Sequence, residues 1–199
     1  MMEPTSRLAR LQQVLVLTAV LLAVGWMLYF RDREAAWMLL GPMFILFGYV
    51  LVLALEFVLV AFQHRSDPAP RASASDLFSA WWQEVCVAPR VFAWRQPFRW
   101  RCLPDPDIAA GVAAGVKPVV VLVHGFVCNR GFWLPWMQRL RERGQAYVSV
   151  NLEPVFGSID DYVPLVEEAV ARAERVGGAP PVLVCHSMGG LAARAWLAA

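Results

Sequence analysis

The chain has 199 residues, room for one medium domain or a small domain with an accessory segment. A formal net charge of +2 gives no bulk argument for nucleic-acid binding, and a mean hydropathy of +0.48 is high for a soluble protein. Cys86, Cys102, Cys128 and Cys185 form no CxxC pair, which speaks against a zinc site and a disulfide framework; free thiols are the default, with a Cys86–Cys102 bridge left open.

The apolar excess lies at the front. Val14 to Phe30 and Trp37 to Phe62 are nearly unbroken apolar runs, joined by the charged turn RDREAA from Arg31 to Ala36. A bilayer-spanning helix needs about 20 apolar residues, with roughly 17 as the lower limit. Backbone groups in lipid must be paired within the segment, so helix is the expected form. Residues 1–65 therefore read as a transmembrane hairpin, with helices over about 12–30 and 37–62. The competing reading of the first run is a cleaved signal peptide with Arg7 and Arg10 as its basic region. Its apolar core is too long for that, and no small-x-small cleavage site follows. Glu56 reads as a carboxylate near the headgroups or facing the partner helix, rather than a functional intramembrane acid. Arg7 and Arg10 before the hairpin, with Arg65 and Arg71 after it, outweigh Arg31 and Arg33 in its turn. That places both ends, and everything downstream, in the cytoplasm.

Residues 66–75, SDPAPRASAS, have the composition of a flexible linker. Residues 76–117 then form an amphipathic entry segment. Leu77, Phe78, Trp81, Trp82 and Val85 have helical spacing, with Ser75 as the expected N-cap. Trp94, Phe98 and Trp100 continue an aromatic, Arg-rich stretch. It suits either a membrane interface or ordinary packing at the start of a domain.

From Pro118 the pattern alternates. PVVVLVHG (Pro118 to Gly125) is expected to be a strand buried on both faces. Phe132 to Gly144 reads as a helix, Ala146 to Leu152 as a strand, and Asp160 to Gly178 as a helix with Pro164 near its first turn. Pro181 to Cys185 is a third strand and Met188 to Ala199 a third helix. This alternation predicts an α/β fold, a parallel sheet with helices on its faces, over residues 118–199. Ligands of such sheets bind at the carboxyl ends of the strands, where HGFVCNRGF and CHSMGG lie.

A serine hydroxyl is a poor nucleophile unless a base takes its proton and the oxyanion is stabilised. A sharp strand-to-helix turn lifts the Oγ of Ser187 above the sheet and demands small neighbours two residues to either side. Gly189 satisfies that demand; on the other side stands Cys185. The helix after Ser187 aims its N-terminus at the reacting oxygen. The N–H groups of Met188 and, from the loop after the first strand, Phe126 are the expected oxyanion donors.

On LVHGF (Leu122 to Phe126), NRGFW (Asn129 to Trp133) and VCHSMGGLAAR (Val184 to Arg194), the chain resembles the α/β-hydrolase superfamily, in its lipase and esterase branch. The resemblance covers Pro118 onward, in the order expected of that fold's third to fifth strands. It implies Ser187 as nucleophile, Phe126 and Met188 as the oxyanion hole, and His124, Gly125, His186 and Gly189 as residues of the supporting turns. In that family the base follows the last strand, so neither His124 nor His186 is expected to act as base. His64 borders the membrane, and Asp160 and Asp161 suit a helix N-terminus. The order Ser, then acid, then His places acid and base beyond Ala199, so the hydrolase domain is expected to be incomplete in these residues and inactive alone. The expected function is a membrane-anchored serine hydrolase of carboxylic esters. The alternatives are a non-catalytic membrane protein on the same scaffold and an acyltransferase or thioesterase. The expected partners are the lipid bilayer and an apolar acyl ester, with no nucleic acid. No metal, nucleotide or phosphate motif is present, so no cofactor is expected, and the oligomeric state is left open.

Overall fold

The computed structural model describes residues 6–63, 71–105 and 118–199. His64, the first half of the linker and the end of the entry segment lie outside the described residues. Two compact units are present: one is Gln13–Ala93, and the other joins the described residues up to Gln12 with those from Trp94 onward.

In the first unit, helices α1 (Arg7–Tyr29, continuing from the other unit) and α2 (Ala35–Gln63) have 23 and 29 residues. Both are long and apolar enough to cross a membrane, and their apolar side chains are largely exposed. At the hairpin tip Trp26 donates its indole N–H to the carbonyl of Trp37 at 2.9 Å. Gly41 lets the Trp26 ring approach: a Cβ there would lie 2.3 Å from it. Helix α3 (Ala74–Ala88) begins at Ser73, not at the expected Ser75. Ser73 wins because Asp76 stands three residues on: each side chain bonds the other's backbone N–H, a complete capping box. Ser73 also holds the exposed Asp76 carboxyl below its ordinary range. The chain continues as a π-helical stretch, Pro89–Arg95, and a short helix α4, Gln96–Phe98.

The second unit is built on three parallel strands, β1 (Val120–Val123), β2 (Tyr147–Ser149) and β3 (Val182–Cys185), in the order β2-β1-β3. Val120 pairs with Tyr147 on one side and Val182 on the other, which fixes both registers. The strands are shorter than the runs that announced them, and Val119, His124, Gly125, Val150 and Leu152 of those runs are buried just outside the strands. Helix α5 (Leu134–Glu142) follows a 3-10 turn at Arg130–Trp133, and α6 (Val163–Gly177) follows one at Asp160–Tyr162. Pro164 occupies the first turn of α6, where its missing N–H costs nothing, and Gly178 closes that helix at φ 62°. Helix α7 is Met188–Ala198.

Strand alternation sorts the core into two layers. Val119, Val121, Val123, Val148 and Val150 face Tyr162, Val166, Ala169, Val170, Ala173 and Ala192 on one side. Leu122 and Tyr147 face Trp133, Leu134 and Met137 on the other. Helices thus cover both faces of β1, which explains its unbroken apolar run. At roughly 25 cal/mol per Å² of apolar surface, each fully buried valine contributes about 1.5–3 kcal/mol before entropy is charged against it.

Candidate functional site

The carboxyl ends of β1 and β3 meet at two turns, and each turn holds a non-glycine residue at positive φ: Val127 at 51° and Ser187 at 52°. For a β-branched valine this region is a genuine outlier, and such strain costs of order 1–3 kcal/mol. Ser187 has ψ −123° and directly precedes α7, so the chain reverses sharply and leaves the serine exposed.

Close packing sustains the reversal. A Cβ on Gly189 would lie 2.6 Å from the His124 carbonyl oxygen and 2.7 Å from that of Val123. Those are backbone atoms of the central strand and cannot step aside. A Cβ on Gly125 would lie 2.9 Å from His186 Nδ1 and 3.0 Å from the Ser187 Cβ. The glycine after β1 is therefore what lets the two turns touch. Gly190 faces open space. At the position two before Ser187, the half-buried Cys185 packs into the Val121 layer, where burial raises its thiol pKa. A small side chain fits on that flank because it points into the core. All four cysteines are free thiols.

The first helical N–H groups lack intrahelical acceptors. Gly189 N–H turns back to the His186 carbonyl at 3.0 Å and Gly190 N–H to that of Ser187 at 2.9 Å. Met188 N–H thus opens the helix directly beside the serine. Phe126 follows Gly125, half exposed, with its ring edge-on to Phe156 at 5.7 Å.

The two histidines have distinct places. His124 is buried: its Nε2 accepts the Leu152 N–H at 3.0 Å, so the proton sits on Nδ1, which donates to the Gly125 carbonyl at 2.9 Å. Both nitrogens are engaged, and burial pushes its pKa down to about 4. His186 is exposed and stacks on Phe132, ring centroids 4.7 Å apart. Among the described residues no hydrogen bond joins either imidazole to Ser187. Asp160 and Asp161 lie in the 3-10 turn before α6, where Asp161 accepts the Ser158 N–H at 2.7 Å.

Two networks behind the turn escaped the sequence reading. Gln96, fully buried, accepts the Asn129 N–H at 3.1 Å, and Asn129 returns a bond to the Gln96 carbonyl at 3.0 Å. Asn129 Oδ1 also receives the Gly131 N–H at 2.9 Å and caps the 3-10 turn. Arg130, nearly fully buried, meets Asp105 at 2.7 Å; Arg172 meets the other oxygen of that carboxylate at 2.8 Å. Asp105 further accepts the Ser149 N–H on the outer edge of β2 at 3.3 Å. NRG was visible as a loop motif, but its partners lie far away in sequence and no local pattern announces them.

Among the described residues no cluster of three or more His, Cys, Asp or Glu could hold a metal. No curated protein and no solved structure matches the chain. Residues 120–199 match the family described as alpha/beta hydrolase. That match, the parallel order β2-β1-β3 and helices on both faces relate this part of the chain to the α/β-hydrolase superfamily.

Proposed function

We propose that the protein is a membrane-anchored serine hydrolase of the esterase and lipase kind, with Ser187 as nucleophile. The observation that carries this reading is the strained, exposed Ser187 between β3 and α7, held against Gly125 of the opposite turn. Ser187 Oγ attacks the ester carbonyl carbon and its proton passes to a general base. The oxyanion receives the N–H groups of Phe126 and Met188, the alcohol leaves with a proton, and water then cleaves the acyl-serine. His124, doubly hydrogen-bonded, acts as a prop for the oxyanion turn, and the base is a group other than His124 or the stacked His186. The exposed rings of Phe126 and Phe156 beside the turn favour an apolar acyl ester. A hydrophobic hairpin of α1 and α2 anchors the domain in a bilayer, with both ends cytoplasmic on the arginine count.

The test is labelling of the native protein by a fluorophosphonate and turnover of p-nitrophenyl esters. Ser187→Ala is expected to abolish both, with losses of several orders of magnitude. Undiminished turnover by that variant would exclude Ser187. Reporter fusions at the N-terminus and after Arg71 should both read cytoplasm.

The second reading is a non-catalytic scaffold that binds without turnover. Lack of fluorophosphonate labelling in the native protein would select it. Ser187 does not separate hydrolysis from acyl transfer; product analysis with a competing alcohol does.

A further inference from the structure

Helix α3 does not hang from the end of α2 but packs against its middle. Trp81 Nε1 donates to the Val50 carbonyl at 3.4 Å and the Tyr49 hydroxyl donates to the Val85 carbonyl at 2.9 Å. Val50 lies about 20 Å along the helix axis from the end of α2 at Gln63. The two helices are thus neighbours at the level of Tyr49 and Val50.

The faces of α3 are sorted. Trp81 and Val85, one helical turn apart, turn toward α2, and Val85 is buried. Phe78 and Trp82 also stand one turn apart on an adjoining stripe, and they stay 64% and 54% exposed. A polar stripe runs elsewhere through Asp76, Ser79 and Gln83, with Gln83 bonded to Ser79 at 3.3 Å. Helix α3 thus has one side packed, one side aromatic and exposed, and one side polar.

We infer that the Phe78–Trp82 stripe of α3 is a lipid-interface docking surface, seated at the headgroup–acyl boundary of the bilayer that α2 enters. Continuity with the apolar helix names the occupant. Helix α2 is about 43 Å long, more than the ~30 Å hydrocarbon core. About twenty residues counted from Ala35 end beside Leu55, next to Glu56, the acid of α2. Val50 then lies about 8 Å inside that boundary. Interfacial helices bury their apolar sides about 5–10 Å deep, and Trp is favoured there. Trp81 and Val85 sit at that depth beside α2, Phe78 and Trp82 meet the acyl boundary, and the polar stripe of Asp76, Ser79 and Gln83 turns to the headgroups and water. The inference rests on the membrane part of the proposed function and is independent of the chemistry at Ser187.

The test places a nitroxide side chain, by stop-codon suppression in the full chain, at 78, 82, 79, 46 and 71 in turn. The protein is reconstituted into phosphatidylcholine–phosphatidylglycerol vesicles, and collision with oxygen is compared with collision with a water-soluble nickel chelate. The expected oxygen-to-nickel ratio at 78 and 82 is several times that at 79 and 71, and lower than at 46 in α2. As a second readout, Trp82→Phe should lower the share of tryptophan emission quenched by lipids brominated near the headgroup. Water-like ratios at 78 and 82 with a lipid-like ratio at 46 would overturn the docking surface while leaving the hairpin embedded. Water-like ratios at 46 as well would overturn both. Shielding of 78 and 82 from both reagents would assign the stripe to a protein partner and overturn the lipid assignment.

Discussion

Leu152 donates its backbone N–H to Nε2 of His124 at 3.0 Å, so a buried, neutral imidazole joins the end of β1 to the chain beyond β2. Protonating Nε2 would destroy that bond and place a charge in the core. Burial is the main cause of the fall in its pKa from the ordinary 6.5 to about 4. Because the folded pKa is depressed for a base, the unfolded chain binds the proton first as pH falls. Stability is therefore full above about pH 6.5 and declines down to about pH 4, by about 3 kcal/mol. Hydrogen exchange of the β1–β3 amides at pH 7 and pH 5 checks this. Exchange corrected for intrinsic pH effects should be faster at pH 5, and His124→Asn should flatten the difference.

Gly189 and Gly190 are adjacent and should behave oppositely. Gly189→Ala drives a methyl into the carbonyl oxygens of Val123 and His124, so the elbow must open. The expected cost is about 1–3 kcal/mol, with loss of most fluorophosphonate labelling. Gly190→Ala enters open space in a helix and should stabilise slightly, by up to about 1 kcal/mol, with labelling intact. Thermal midpoints of the two variants beside the parent decide the matter.

Asp105 neutralises two guanidiniums and bonds the side of β2 away from β1 through Ser149. Asp105→Asn leaves Arg130 charged, nearly fully buried and without its counterion, at an expected cost of about 3–5 kcal/mol. Because the carboxylate bonds the edge of β2 while Val182 to Cys185 form the opposite edge, the loss should be graded across the sheet. Amides of β2 should exchange fastest. Uniform acceleration across all three strands would show that Asp105 supports the whole domain instead.

The sheet was legible because each strand lies in a valine-containing apolar stretch set between turn or helix signals, most plainly the run around Val120 to Val123. Ser187, Gly125 and Gly189 were legible because a tight turn restricts residue type at fixed offsets. Ser75 was misjudged as a cap because a serine before an apolar run is a weaker signal than Ser73 with Asp76 three residues on. The packing of α3 against α2 was not legible: Tyr49 and Trp81 mark no partner until the backbone carbonyls of Val85 and Val50 are placed. Nor was the strain at Val127, since valine is a poor choice for positive φ and propensity argues against it. Long-range polar pairs such as Gln96 with Asn129 carry no periodic trace at all.

Ser187 itself should be a site where stability and chemistry oppose each other. Its φ of 52° and ψ of −123° are open to glycine and strained for serine. Ser187→Gly relieves strain worth about 1–3 kcal/mol and gives back roughly 0.5–1 kcal/mol in the greater freedom of the unfolded chain. The expected net effect is a stabilisation of about 1 kcal/mol. Ser187→Ala keeps the Cβ and the strain, so it should leave stability near that of the parent. Both variants should lose fluorophosphonate labelling. The separation between the glycine and alanine thermal midpoints therefore measures the backbone strain apart from the hydroxyl. A glycine variant no more stable than the alanine variant would show that the surrounding packing at Gly125 and Gly189, and not the intrinsic preference of residue 187, holds the turn without stored strain.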